Sequence, residues 1–159
     1  MGSMPGETGV GGSPLCLYSW GIFSLEEDEA LILELERNPD SLFWGFQLGD
    51  IWSRALPHQR WQTSLNSAQA KRDADGGFRF VISNRDPGIA NWLDSCGRSE
   101  GQILFRNYIA RDTVLPVARK VKFDELMANL PADTTRVAPE RRKTDLEYRR
   151  EGYLKLYRE

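Results

Sequence analysis

The stretch DPGIANWLDSCG, which runs from Asp86 to Gly97, holds the carboxylates whose type and setting best suit chemistry. Asp86 and Asp94 could act as an acid/base pair, since many enzymes move protons between two carboxyl groups. Asp86 also begins an Asp-Pro-Gly turn, and Asn91 and Asp94 suit a second bend, because such side chains accept hydrogen bonds from the amides that follow. Trp92 would then fix the loop to the core. Turn formation explains most of this pattern, so we favour a structural loop over a catalytic one.

A second chemical feature is a charged residue inside the strand-like run QILFRNYI. Arg106 lies among apolar residues, where a guanidinium is costly to bury unless it is paired. We expect a carboxylate of the preceding loop to be its partner. Arg106 and Tyr108 fall on the same side of the predicted strand, and this pair would suit an anionic or carbonyl-bearing ligand.

The segment RWQTSLNSAQ adds further hydrogen-bonding side chains, and we interpret it as a polar corner because its serine lacks the Gly-x-Ser-x-Gly elbow of hydrolases. His58 is the single histidine, which disfavours a catalytic triad and the usual zinc sites. No glycine-rich phosphate loop precedes a lysine. The sequence therefore predicts no cofactor and no metal ion, and it identifies no catalytic residue. The candidate ligand-binding residues are Asp86, Asn91, Trp92, Asp94, Arg106, Tyr108 and Asn66.

Most of the chain from Leu15 to Ile109 follows a two-residue pattern typical of β-strands. The clearest runs are ALILELERN, FRFVIS and QILFRNYI, and the loop described above would connect the last two. For ALILELERN a helix stays the alternative, because Glu and Leu also favour helices and a capping-box pattern begins at Ser24. The aromatic runs CLYSWGIFS and SLFWGFQLGD contain Gly21 and Gly45, which suggest a bulge or the close approach of another backbone.

After Pro116 the pattern becomes helical. Val121, Leu126 and Leu130 are near helical spacing, which predicts a short helix of about two to three turns.

The last segment is strongly charged, and Pro139 suits the first turn of a helix there. Leu146, Tyr153 and Tyr157 form a sparse apolar stripe, which predicts a helical tail that docks through few contacts.

Length and charge exclude several classes of protein. The 159 residues and formal charge of -2 suit one soluble domain with its own core, and the charge disfavours nucleic acids and anionic membranes as partners. No apolar run approaches the roughly 20 residues of a membrane-spanning helix. Cys16 and Cys96 belong to no metal or redox motif, so we expect two reduced thiols, with a disulfide between them as the alternative.

Three segments carry a resemblance to a known family: FWGFQLGDIW, QTSLNSAQAKRDADGGFRFVISNRDPGIANWLDSCG and EGQILFRNY. They resemble the bacterial domain of unknown function numbered 1214, and the likeness extends from about Ser24 to Ile109. The resemblance implies an antiparallel β-sandwich of jelly-roll-like topology, and it brings no reaction with it. The chain departs from the commoner pattern after Tyr108, which indicates a divergent branch. Relatives carry a region upstream, so the resemblance also implies a C-terminal domain of a longer protein.

We therefore expect three segments along the chain. Residues 1–14, MGSMPGETGVGGSP, are interpreted as a cloning remnant and disordered lead-in. Residues 15–131 form the β-sandwich domain, and residues 132–159 form an extended segment and the helical tail. Since the natural N-terminus is then missing, a cytoplasmic location is taken as the default and export stays open.

Three functions remain open on this basis. The favoured one is a module that binds a small organic ligand, or an accessory module that packs on the N-terminal domain of a full-length protein. The second is an enzyme of hydrolase or lyase type, in which Asp86 or Asp94 works with Arg106 and Tyr108 on a carbonyl-containing substrate. The third is an interaction domain whose exposed sheet edges and helical tail form a homodimer, because separated sandwich halves often leave apolar surface uncovered.

Overall fold

The computed structural model describes residues 2–4, for which only the strand they form is given, and residues 15–156. Its strands are β1 (Gly2–Met4), β2 (Cys16–Ser24), β3 (Glu29–Leu35), β4 (Phe43–Gly49), β5 (Ser64–Asn66), β6 (Phe78–Ser83), β7 (Trp92–Asp94), β8 (Glu100–Tyr108) and β9 (Val117–Lys122). A 3₁₀ helix covers Phe123–Asn129, and the α-helix α1 covers Pro139–Leu156.

The strands form two sheets, with the order β1-β2-β8-β4-β5 in one and β7-β6-β3-β9 in the other. The protein is thus mainly β, as predicted. Neighbouring strands run antiparallel, except that the short strand β7 runs parallel to β6. The loop predicted to join FRFVIS and QILFRNYI contains β7. After β6 the chain therefore turns back along the sheet before β7 pairs with β6 in the same direction. The jelly-roll-like topology stays a prediction.

Side-chain alternation divides β8 as the sequence predicts. Ile103, Phe105 and Asn107 face the core, and the residues between them, Leu104 and Arg106, are half-buried on the outer face of the five-stranded sheet. The two sheets enclose a core rich in aromatic residues.

The centre of that core is a cluster of aromatic rings from both sheets. Trp44 and Phe46 of β4 meet Phe80 of β6 with ring centroids 6.1 and 4.8 Å apart, and Phe46 lies 4.9 Å from Phe105 of β8. Such ring pairs add to the stabilisation that comes from burying apolar area, and they hold the two sheets in register.

The strand β3 confirms the two-residue pattern of ALILELERN, and the helical alternative is wrong. Leu33 faces the core, but Ile32 on the opposite face is also fully buried. The reason is a second apolar cluster, in which the 3₁₀ helix places Leu126 over the outer face of the four-stranded sheet. Val121, which we expected in the helix, lies in β9 and packs against the same cluster.

The charged tail begins its helix at Pro139, as predicted. Its docking differs from the prediction, because the buried residue of α1 is Arg142, whereas Leu146 and Tyr153 are half-buried. Tyr157 lies outside the described residues. Polar contacts of its arginines attach the helix to the rest of the protein, and the apolar stripe in the sequence did not predict these contacts.

Both cysteines are free thiols, so the disulfide alternative is not formed. Burial raises the pKa of the Cys96 thiol to about 12, which keeps it protonated and poorly nucleophilic at neutral pH. Within the predicted disordered lead-in, Gly2–Met4 pairs with β2, and the rest of residues 1–14 lies outside the described residues. The helices of the described chain include none that is both long and apolar enough to cross a membrane.

Candidate functional site

The turn at Asp86 is a structural corner. The Gly88 amide donates to Asp86 Oδ1 over 2.8 Å, and Gly88 has a φ of 71°, a conformation that favours glycine. The other partner of this carboxylate is Arg142 of α1, whose Nε lies 2.9 Å from Oδ2. Asp86 therefore joins the loop to the tail helix.

The next residues of the loop are also used inside the protein. Asn91 exchanges two hydrogen bonds with the backbone of Lys71, over 2.7 and 2.6 Å, and thereby links two loops. Trp92 Nε1 donates to the Ser83 carbonyl over 3.2 Å. These partners explain the side chains without a ligand.

Arg142 is the centre of this corner, and only 5% of it is exposed. Besides Asp86, its guanidinium donates to Gln62 Oε1 over 3.1 Å and to the Ile89 carbonyl, and it lies 5.1 Å from the ring centroid of Trp92. Gln62 in turn donates to the Trp92 carbonyl over 2.6 Å. The network satisfies a buried charge within the protein, which is the condition for burying one.

Asp94 is the buried acid of the group. The Cys96 amide donates to its Oδ1 over 2.7 Å. Burial raises the pKa of Asp94 and the charge of Asp86 raises it further, whereas the hydrogen bond from the Cys96 amide and, to a smaller extent, the charge of Arg142 lower it without cancelling the rise. The ionised form therefore costs stability in the folded protein.

The Asp94→Asn variant should be more stable than the wild type at neutral pH, by about 1 kcal/mol, because it keeps the acceptor oxygen and removes the buried charge. The pKa of Asp94 is higher in the folded protein than in the unfolded chain. Below both pKa values the carboxyl is protonated in both states and costs no stability, and the loss of stability develops as the pH rises from the unfolded to the folded pKa. Urea unfolding at pH 3 and pH 7 measures this. Asp124→Asn, at a side chain that is 96% exposed, is the control and should behave the same at both pH values. A stability gain for Asp94→Asn that is equal at both would contradict the assignment.

Arg106 has a different partner from the one predicted. Its Nη1 donates to Gln47 Oε1 over 2.8 Å, and no acid of the described chain forms an ion pair with it. The reason is strand alternation. Leu93 of β7 faces the core, so Asp94 lies on the outer face of the four-stranded sheet, whereas Arg106 lies on the outer face of the five-stranded sheet. The enzyme hypothesis needed Asp86 or Asp94 beside Arg106, and neither acid is among its partners: Asp86 pairs with Arg142, and Asp94 accepts from the Cys96 amide.

A cavity of about 170 Å³ lies beside Arg106. The strand register forms a row across the sheet in which Gly45 stands between Arg106 and Asn66. Gly45 has no side chain to fill the space, and a Cβ there would come within 3.0 Å of the Leu65 carbonyl oxygen. The glycine thus permits the close backbone approach that the sequence predicted, and it leaves a depression in the sheet surface.

The cavity brings together two of the predicted residues, Arg106 and Asn66. Its other polar side chains are Gln47, Ser64 and Gln69, and Phe43 is an apolar wall. Gln47 and Gln69 were not among the candidates. Gln47 could have been found, because it follows Gly45 by two residues on the same strand and must share its face. Tyr108 lies on the same face of β8 but does not line the cavity.

A second cation, Arg149, lies beside β5, which is the edge strand of the five-stranded sheet. Arg149 of α1 donates to the Ser64 carbonyl over 3.1 Å and to Ser64 Oγ over 3.4 Å. Burial lowers the pKa of Arg149, and the charge of Arg142 lowers it further. Arg142 and Arg149 therefore attach α1 to both sheets.

Comparison with known proteins places the chain in a family. The profile described as protein of unknown function (DUF1214) matches residues 24–112, which is more than half of the chain. A crystal structure of an uncharacterized protein from Burkholderia cenocepacia is similar, with 36% identity and a TM-score of 0.70 over 72% of this chain and 32% of that one. The VPA0106 protein from Vibrio parahaemolyticus has 17% identity and a TM-score of 0.52 over 66% of this chain and 31% of that one, a likeness of fold alone.

The chain spans about a third of the length of these two solved proteins. None of the curated proteins compared with the chain matches it. The match covers the strands β3 to β8, which include the cavity and the loop at Asp86, and it agrees with the limits of the resemblance seen in the sequence. This chain belongs to the DUF1214 family of proteins of unknown function.

Proposed function

We propose that this chain is a small-molecule-binding module, and that its site is the cavity beside Arg106 on the outer face of the five-stranded sheet. The observation that supports it best is the setting of Arg106. A half-buried guanidinium faces a concave surface, its described side-chain partner is a neutral amide, and the described residues that line the cavity include no acid.

The energetics favour a ligand there. A guanidinium that loses part of its hydration and gains no opposite charge leaves binding energy available, because charge-assisted hydrogen bonds are about twice as strong as neutral ones. The cavity is smaller than the roughly 300–1,000 Å³ of sites for drug-sized ligands. It therefore suits a molecule with few heavy atoms.

The polar groups of the cavity are held by a rigid framework. Gln47 and Arg106 lie on β4 and β8, which pair along seven residues, and Asn66 lies on the adjoining strand β5. Groups on paired strands keep their spacing better than groups on mobile loops. This supports the cavity over the open groove between α1 and Trp61, whose lining consists mainly of long exposed side chains such as Arg60, Lys143 and Arg150.

A fragment screen followed by amide chemical shifts tests the proposal. We expect binders to shift the amide signals of residues 43–47, 64–69 and 104–108, and we expect Arg106→Met to abolish those shifts while Arg111→Met, at an exposed arginine, leaves them unchanged. A library of small polar fragments that shifts none of these signals, or that shifts only signals of α1, would refute the proposed site.

A second candidate function is supported by apolar surface on the same sheet. Trp20 and Ile22 of β2 are 40% and 68% exposed, and Trp52 is 74% exposed. Gln102, which pairs with Ile22, donates to the Ile51 carbonyl and so brings the turn at Trp52 near this surface. Apolar surface of this kind is typical of interaction sites, and the chain covers only a third of the solved proteins it matches. The chain would then be an accessory module that packs on another part of a longer protein.

Light scattering of the chain alone, at several concentrations, shows whether this surface binds a second copy of the chain or another part of a longer protein. An accessory module should be monomeric alone, and Trp20→Ser with Ile22→Ser should weaken its binding to the remainder of the longer protein. A dimer that the same two substitutions dissociate would instead favour the homodimer.

A further inference from the structure

The side-chain amides around the cavity have defined orientations, because hydrogen bonds fix which end of each amide is the oxygen. Asn66 Oδ1 accepts from the backbone N–H groups of Ala68 and Gln69, over 3.0 and 3.1 Å. Gln69 Oε1 accepts from the Asn66 N–H over 3.1 Å. A backbone N–H can only donate, so neither amide can be turned around without losing these bonds.

Gln47 is fixed in the same way. Its Oε1 accepts from Arg106 Nη1, and a guanidinium has no acceptor. The oxygens of Gln47, Asn66 and Gln69 are therefore all engaged. Their NH₂ groups have no hydrogen-bond partner within the described chain.

The remaining polar groups add donors. Ser64 Oγ accepts from Arg149 Nη1, which leaves the hydroxyl hydrogen for another acceptor. The Nε and Nη2 atoms of Arg106 form no hydrogen bond with the described residues, and that edge of a guanidinium matches the two oxygens of a carboxylate. The cavity lining thus combines the positive charge of Arg106 with unpartnered donors from several side chains, whereas each of its side-chain oxygens already accepts at least one hydrogen bond.

We infer that the ligand of this cavity is a small organic monocarboxylate, an inference that rests on the proposed function of the same site. A site rich in unpartnered donors recognises a ligand that offers acceptors, and Arg106, the charged residue of the described lining, balances a single negative charge, because the second guanidinium, Arg149, is already engaged by Ser64. Phe43 supplies an apolar wall for the body of the molecule. A carboxylate on a small apolar body therefore matches both parts of the cavity, and a strongly hydrated dianion such as phosphate does not.

Calorimetric titration with benzoate and benzamide tests the inference, because the two probes share shape and differ in charge and in acceptor oxygens. We expect benzoate to bind at least about tenfold more tightly than benzamide, the difference typical of charged hydrogen bonds. Inorganic phosphate should bind more weakly than benzoate.

Gln47→Glu is the sharpest variant, because it is nearly isosteric and places a carboxylate against Arg106. It should lower the affinity for benzoate by about tenfold or more and leave the melting temperature close to that of the wild type. Gln102→Glu makes the same change on the same sheet face outside the cavity lining, and it should leave benzoate binding unchanged.

The outcomes separate the two proposals. If benzamide binds as tightly as benzoate and both shift the amide signals of the cavity, the carboxylate inference is wrong and the binding module stands. If phosphate binds best and Gln47→Glu abolishes its binding, the site takes anions but the ligand class is wrong. If none of these probes and no fragment shifts the cavity signals, both proposals fail.

Discussion

The Arg142→Ala variant should lose about 2–4 kcal/mol of unfolding free energy, the cost of leaving two buried acceptors without their charged donor. Arg142 holds Asp86, Gln62 and the Ile89 carbonyl, and its removal leaves the two buried acceptors, Gln62 Oε1 and the Ile89 carbonyl, without their donor and the partly exposed Asp86 without its cation. The loop at Asp86 and the N-terminal half of α1 should both loosen. Urea unfolding gives the stability, and limited proteolysis should show cleavage near residue 138 before the β-strands are cut.

Arg141→Ala is the matched control. The neighbouring arginine has a 72% exposed side chain and pairs with Asp145 on the surface of α1, so its loss should cost less than about 1 kcal/mol. Equal stability losses for the two variants would contradict the claim that the tail is fixed by the buried network.

The Asn107→Leu variant should gain about 1–3 kcal/mol of unfolding free energy. Asn107 is fully buried on the core face of β8, and neither Nδ2 nor Oδ1 has a hydrogen-bond partner in the described chain. A buried polar group without a partner costs about that much, and leucine has the same number and branching of side-chain heavy atoms, so its larger methyl groups need only a small adjustment of the core. Thermal and urea unfolding measure the gain.

The Asn107→Ala variant separates polarity from volume. It removes the same polar atoms but leaves a space, so it should be less stable than Asn107→Leu. A leucine variant and an alanine variant that are both less stable than the wild type would contradict the claim that the polar atoms of Asn107 cost stability.

Side-chain alternation explains why so much of the sheet was predictable. The burial of a strand side chain follows directly from its position, so the faces of β8 could be derived from sequence alone, and a strand could be favoured over a helix for β3. The burial of Ile32 under the 3₁₀ helix could not be predicted, because it depends on how a later segment of the chain folds back over the sheet. The same applies to β7, which pairs with β6 only after a crossover.

The partners of the arginines show the limit more clearly. The rule that a guanidinium in a strand needs a nearby carboxylate holds for Arg79, which meets Asp75 at 2.6 Å and Glu34 at 2.9 Å. It fails for Arg106, whose outer position leaves it partly hydrated beside a neutral Gln47. Of the two loop acids that could have been its partner, Asp86 pairs instead with Arg142, which lies 56 residues after Asp86 in the sequence. Pairing over such a distance is set by the fold and not by local spacing.

The most direct test of the cavity as the ligand site is the Arg106 Nε–H signal in ¹⁵N spectra, assigned from its loss in Arg106→Lys. Titration with benzoate should move this signal saturably, with the affinity found by calorimetry. A signal that stays in place while benzoate binds, or that moves equally in the Gln47→Glu variant, would contradict the account.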